Sequence, residues 1–183
     1  MMALLPVLQF PDPRLKQVAK PVTEITEETQ QIIDDMFETM YALEGAGLAA
    51  TQVNIHQRIA VMNVSPDKNN PIVAINPEII SMEGEQEDAH GCLSVYAAPI
   101  GVLTRAAKVH MRALDRHGKS FDLHAEGVLA ICIQHEIDHL NGKLFINHYS
   151  RLKFERISAK VKKNIRQALK NEGKTTAGET EHE

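Results

Sequence analysis

Residues 127–140 constrain this chain more than any other stretch. Gly127-Val-Leu-Ala-Ile-Cys-Ile133 is apolar on every side, and Gln134-His135-Glu136-Ile137-Asp138-His139-Leu140 follows without a break. A helix that begins apolar all round is a buried one, so the fold must be built around this segment. Its second half contains H-E-x-x-H. At 3.6 residues per turn His135 and His139 stand one turn apart on one face, where they can hold a single metal ion. Glu136 follows the first ligand round the helix, placed to take a proton from metal-bound water. The competing reading is a solvated helix face with two surface histidines. The apolar first half argues against it, because buried polar groups at the far end must find partners and a metal supplies them.

At 183 residues the chain fits one domain with enough length to bury a core. Hydrophobic residues at 43% and charged residues at 24% match an ordinary globular protein, and a net charge of −4 gives no overall case for binding nucleic acid. The N-terminus lacks the pattern of a signal peptide, and no apolar run is long enough to span a bilayer. Cys92 and Cys132 are the only cysteines. No disulfide framework is therefore expected, which fits a reducing cytoplasm.

The remaining elements are read from periodicity. Pro6 to Pro21 is an extended, proline-punctuated segment. Ile25, Ile32, Ile33, Met36, Met40 and Leu43 recur at helical spacing behind a Thr26 N-cap, with Glu27 and Glu28 in the first turn and Gly45 and Gly47 at the end. Arg58 to Val64 and Ile72 to Ile75 read as strands, the second closed by Asn76-Pro77. Val102 to Leu114 and Phe121 to Ala125 read as strands joined by the turn Asp115-Arg-His-Gly118. The central helix stops at Asn141-Gly142. This order predicts an α+β fold, with antiparallel strands packed around a central metal-binding helix and a further helix at the C-terminus. Residues 1–170 are expected to form a single catalytic domain and 171–183 a polar, disordered tail.

Two histidines and a glutamate do not complete a catalytic metal site, which needs a third protein ligand. In the extended pattern H-E-x-x-H-x-x-G-x-x-H, Gly142 is in place but Phe145 stands at the last histidine, and His148 and Glu155 lie at no familiar ligand spacing. The better candidate is upstream, in His90-Gly91-Cys92-Leu93-Ser94, where glycine lets the backbone approach beside a soft thiolate ligand. An inert buried thiol is the alternative for Cys92. Cys132 suits that description better, one turn before His135 and Glu136.

Three segments together resemble peptide deformylase, from about Pro11 to about Lys170. Gly45-Ala-Gly-Leu-Ala-Ala-Thr-Gln52 is similar to its G-x-G-L-A-A-x-Q motif, Gly91-Cys-Leu-Ser94 to most of E-G-C-L-S, and Gln134 to Leu140 to Q-H-E-x-D-H-L. The resemblance implies that Cys92, His135 and His139 hold a divalent metal, with Fe(II) expected in the cell, nickel or cobalt as working substitutes, and Ni, Co or Zn possible in the isolated protein. It implies removal of the formyl group from the N-terminal formyl-methionine of newly made polypeptides, with release of formate. Glu136 would be the general base toward metal-bound water. The Gln52 amide and Leu93 N–H would stabilise the oxyanion. Val128, Ile131, Cys132 and His135 share one helix face and are read as a wall for the methionine side chain, with plain core residues as the rival reading. The backbone at Ala46 and Gly47 would pair with the peptide in strand fashion.

The chain departs from the family pattern at two positions. His90 stands where the motif has Glu, and Tyr96 stands where proline is common. If the usual carboxylate partners a cation such as Arg105, His90 cannot replace its charge, and support of the Cys92 loop is expected to weaken. Residues 151–170 carry eight Lys or Arg against one acid, Glu155, over an apolar stripe of Ile157, Val161, Ile165 and Ala168. That is the pattern of a basic amphipathic helix, either packed and solvated or docked on ribosomal RNA. The expected partners are formylated nascent peptides and the ribosome, with no membrane, and the chain acting as a monomer. A cytosolic metallopeptidase and a catalytically weakened ribosome-associated binding module are the alternatives.

Overall fold

The computed structural model describes residues 3–89, 91–95 and 101–178. The first α-helix, α1 (Glu27–Ala42), begins at the expected cap. The Thr26 hydroxyl accepts from the Thr29 N–H and the Thr29 hydroxyl accepts from the Thr26 N–H, so two donors without helical partners are satisfied. The helix closes at Leu43, with the Gly45 N–H returning to the Met40 carbonyl at 2.9 Å. Gly47 belongs already to the next strand.

Among the described residues there are seven strands: β1 (Gly47–Ala49), β2 (Ile59–Met62), β3 (Ile72–Glu83), β4 (Gln86–Asp88), β5 (Leu103–Arg105), β6 (Lys108–Leu114) and β7 (Ser120–Glu126). All pair antiparallel, β1-β2-β3-β6-β7 in one sheet and β4-β5 in a separate ribbon. The second helix, α2 (Gly127–Leu140), and the third, α3 (Arg151–Gly178), follow.

Every residue of β2 is buried because both faces of the sheet are covered. Ile59 and Val61 meet Ile33, Met36 and Met40 of α1. Met62 faces the other way, toward Ala130, Cys132, Ile133 and Ile137 of α2. Period-two alternation thus sets the sheet between two helices, and α2 is as buried as its composition requires. A third cluster joins Phe10 and Leu15 of the N-terminal segment to Val95, Phe145, Ile146, and Ile157 and Val161 of α3. The fold is α+β, with its central helix on antiparallel strands.

Three boundaries differ from the sequence reading. First, β3 does not close at Asn76-Pro77. Asn76 takes a left-handed φ of 51° and the register shifts between Ile75 and Glu78, so the proline, which has no N–H to give, sits in an irregularity of the ladder. The Asn76 side chain holds this bulge by accepting from the Val22 N–H and donating to the Val22 carbonyl. Second, the single strand expected over 102–114 is two strands in different sheets, divided at Ala106 and Ala107. Third, α3 runs on through 171–178, where the composition predicts disorder. That stretch has no proline, and its first glycine, Gly173, costs only about 1 kcal/mol of helix relative to Ala. Residues 179–183 lie outside the described residues. No helix among the described residues is long and apolar enough to cross a membrane.

Candidate metal centre

α2 delivers both histidines to one point, with His135 Nε2 and His139 Nε2 3.1 Å apart. The loop after β4 brings Cys92 Sγ to 3.3 Å from His139 Nε2. The three donor atoms lie within 4.8 Å of one another and form the group among the described residues that can hold a metal ion. The other spacings considered for a third ligand lead elsewhere. His148 Nε2 pairs with Asp138 at 2.7 Å, and Glu155 accepts from Arg151 Nε at 3.0 Å.

The donor chemistry fits a borderline-soft divalent cation, since one sulfur and two imidazole nitrogens suit iron, zinc, nickel or cobalt. Metal ligation requires a thiolate and neutral imidazoles. Burial, and then the neighbouring His135, hold His139 well below the ordinary imidazole range, so it is neutral at pH 7. Burial pushes the Cys92 thiol up to about 12, with the Ser94 N–H pulling it down and Glu136 pushing it further up. A cation beside Sγ would offset that desolvation and release the proton.

Glu136 is 3% exposed, and among the described residues no group hydrogen-bonds its Oε2. Burial, then the charge of Asp138, push its carboxyl up to about 8, against the opposing pull of Arg105. Gly47 lies directly over it. A Cβ at that position would run into Glu136 Oε1 and stand 2.8 Å from Cys132 Sγ. Gln52, in the 3₁₀ turn Ala50–Val53, is fixed from both ends. Its Oε1 accepts from the Ala49 N–H at 2.9 Å and its Nε2 donates to Ser94 Oγ at 3.0 Å, leaving Nε2 3.9 Å from Cys92 Sγ.

A cavity of about 370 Å³ opens onto this centre, and it is lined by every residue named from sequence except His139, which lies behind it. Ala46, Gly47 and Gln52 come from one wall and Val128, Ile131, Cys132, His135 and Glu136 from the α2 wall; Cys92 and Leu93 form the end. Of the helix-face residues, Ile131 and Cys132 are buried in the core and also line the cavity, while Val128 is 48% exposed. Glu44, Gly45 and Gly91 also line the cavity but were not singled out as site residues, and composition carries no signal for Glu44.

Two kinds of support escape a sequence reading altogether. The segment around Gln9 stitches the site together: Leu8 N–H donates to the Gln52 carbonyl, Gln9 Nε2 to the Leu93 carbonyl and Phe10 N–H to the Ser94 carbonyl, each at 2.7 Å. Gln134 accepts from the Ala106 N–H and donates to the Ala106 and Ala130 carbonyls, satisfying the backbone where β5 breaks from β6. His90 and Tyr96 lie outside the described residues. Arg105, expected to want a carboxylate, has two: Asp138 at 2.7 Å and Asp88 at 3.5 Å.

A buried helix carrying H-E-x-x-H, a cysteine sulfur from a neighbouring loop within reach of both histidines and an adjoining cleft are the arrangement of a metal-dependent hydrolase. The comparisons with known proteins narrow that class. The sequence model for polypeptide deformylase matches residues 4–155. A peptide deformylase of Cellvibrio japonicus is 53% identical over 163 residues, covering 88% of this chain and 96% of the relative. The crystal structure of a peptide deformylase from Legionella pneumophila superposes with a TM-score of 0.86 at 47% identity, over 91% of this chain and 98% of that one. A peptide deformylase from Ehrlichia chaffeensis in complex with actinonin gives 0.84 at 38% identity, over 89% and 98%. The chain belongs to the polypeptide deformylase family.

Proposed function

We infer that this protein removes the formyl group from the N-terminal formyl-methionine of newly made polypeptides, releasing formate and a free amine. The observation that carries the reading is the convergence of Cys92, His135, Glu136 and Gln52 on one cavity, with His139 grouped beside Cys92 and His135, in a chain of this family. Cys92, His135 and His139 would hold the metal, which supplies Lewis acidity and activates water when bound. Fe(II) is the metal we assign in the cell; with a thiolate among its ligands such a site is sensitive to oxidation.

This chain's own residues do the rest. Glu136, made more basic than an ordinary carboxylate by its burial, would in its ionised form take the proton from the attacking water and pass it to the leaving amine. Gln52 and Leu93 both line the cavity, and the Gln52 Nε2 and the Leu93 N–H would donate to the formyl oxygen as charge builds on it. Loss of one such donor typically costs about 10²–10³ in rate. Val128, Ile131 and Cys132 offer the methionine side chain an apolar wall, and Cys132 Sγ bonds the Ala46 carbonyl at 3.6 Å, which keeps that backbone against the helix. β1 is an edge strand of its sheet, so its outer side can add the peptide main chain as a further strand.

The basic helix supports docking near the ribosomal exit. Ile157 and Val161 are buried while Arg156, Lys160, Lys162, Lys163 and Arg166 are exposed, so the charge faces outward and is available to RNA. We further assign the working form as a cytoplasmic monomer with one catalytic domain over residues 1–170. The test is formate release from formyl-Met-Ala by anaerobically purified protein, beside Glu136→Ala, with metal content measured in both. Turnover in the parent and its loss in a metal-retaining variant are expected. A metal-loaded parent that releases no formate would overturn the reading in favour of a binding module, and cleavage of the Met-Ala bond would make it a peptidase.

A further inference from the structure

Cys92 and the two histidines reach the centre from different parts of the fold. The histidines sit on α2, whereas Cys92 lies in the connection between β4 and β5, whose ribbon is not part of the main sheet. Something must set the distance between ribbon and helix, because a metal site tolerates only a few tenths of an ångström of error in its ligands. Gln134 ties α2 to Ala106 beside the ribbon, and one buried side chain bridges the Cys92 arm and the helix by charge. Arg105, at the end of β5 and 6% exposed, reaches Asp138 Oδ2 with one terminal nitrogen at 2.7 Å and Asp88 Oδ2 with Nε at 3.5 Å. Asp138 lies on α2 directly before His139. Asp88 ends β4, four residues before Cys92, and is 3% exposed. In the ribbon Gln86 stands opposite Arg105 and Asp88 opposite Leu103, so Asp88 and Arg105 are diagonal neighbours on one face.

We propose that Asp88 is a positioning residue of the metal centre: it holds Arg105 against Asp138 and thereby fixes the Cys92 arm to the helix that carries His135 and His139. The family motif has its acid immediately before the glycine, at the place of His90. In this chain the carboxylate that meets Arg105 comes instead from two residues earlier. A guanidinium suits this task because its planar fork can serve two acceptors at once, whereas an ammonium is a point charge.

The inference rests on the metal-ligand assignment above, and the test separates the two. Cobalt(II) is bound anaerobically to the full-length protein, and its dissociation constant is measured with the visible absorption and the thiolate-to-cobalt charge-transfer band. A parent that binds no cobalt defeats the ligand assignment itself. With the parent bound, Asp88→Asn is expected to weaken cobalt binding about 10–100-fold, as removal of an outer partner of a ligand typically does, and to diminish the thiolate band. Asp88→Glu, which keeps the charge, is expected to recover most of both. Val61→Ala, in the α1-facing core, serves as a destabilised control and should leave affinity and spectrum unchanged. Should Asp88→Asn fail to fold, Arg105→Lys replaces it, with the same loss expected. Parental affinity and an unaltered thiolate band in whichever of these two variants folds overturn the proposal.

Discussion

Glu136 sits among opposing influences: burial and the charge of Asp138 raise its pKa, while Arg105 lowers it. The balance, about 8 against 4.5 for the free side chain, has a consequence for stability once metal is removed. Between those two values the folded protein holds a proton that the unfolded chain has released. Unfolding therefore becomes easier as pH rises through that window, by at most about 1.4 kcal/mol per unit from this one group. His139, whose pKa is lowered, acts in the opposite sense as pH falls below its ordinary value. Comparing the metal-free parent with metal-free Glu136→Gln removes the histidine's contribution. We expect the stability of the parent relative to the variant to decline from pH 5 to pH 8 in urea unfolding. A difference that stays flat with pH would show that Glu136 does not titrate in this range.

At the scale of elements, the close approach of β1 to α2 decides the site. The sequence shows why α2 is helical and buried, and its two histidines and glutamate follow from the spacing alone. It does not show that Gly47 sits against Glu136, a contact between residues 89 positions apart. Gly47→Ala is expected to lower kcat/KM about 100-fold, because its methyl group must displace the carboxylate, and small misplacements of reacting groups carry costs of that order. Metal content should be retained, as no ligand is touched. Activity near the parent's would mean that β1 yields and that the contact does not govern turnover. The strand boundaries teach the same lesson. Asn76-Pro77 has the composition of a strand end, yet β3 passes through it because Asn76 spends its side chain on Val22 and tolerates positive φ. The break between β5 and β6 is equally silent in the sequence, since the side chain that supports it, Gln134, lies 28 residues further on.

For the whole molecule, the separation of faces on α3 matters most. Its apolar stripe packs into the cluster with Phe10, Val95 and Phe145, close to the Cys92 loop, so deleting the helix would disturb the metal centre as well as any docking. Charge reversal is the cleaner test. Lys160→Glu, Lys162→Glu, Lys163→Glu and Arg166→Glu together should reduce ribosome binding, most visibly at low salt, while formyl-Met-Ala turnover stays at the parent's level. Equal ribosome binding by the two proteins across a salt titration would assign the basic face to solubility alone.

What the sequence determined by itself is whatever local periodicity and spacing can encode. H-E-x-x-H on an apolar helix specifies two metal-facing histidines and an adjacent carboxylate, because 3.6 residues per turn fixes their relative directions. Thr26 and Asn141-Gly142 mark helix ends because capping is chemistry among near neighbours. Cys92 could be nominated from its chemistry as a soft ligand, but Gln52 and Gly47 only through a family likeness, as no local rule brings residues from three distant segments to one point. The tertiary structure decided that they meet, with the Gln9 segment bonding the Gln52 turn to the Cys92 loop. It also decided that Arg105 finds its second carboxylate at Asp88, which His90 in the motif position gave no reason to expect. Such pairings depend on chain paths and strand register, and those are settled only when both faces of the sheet are buried at once.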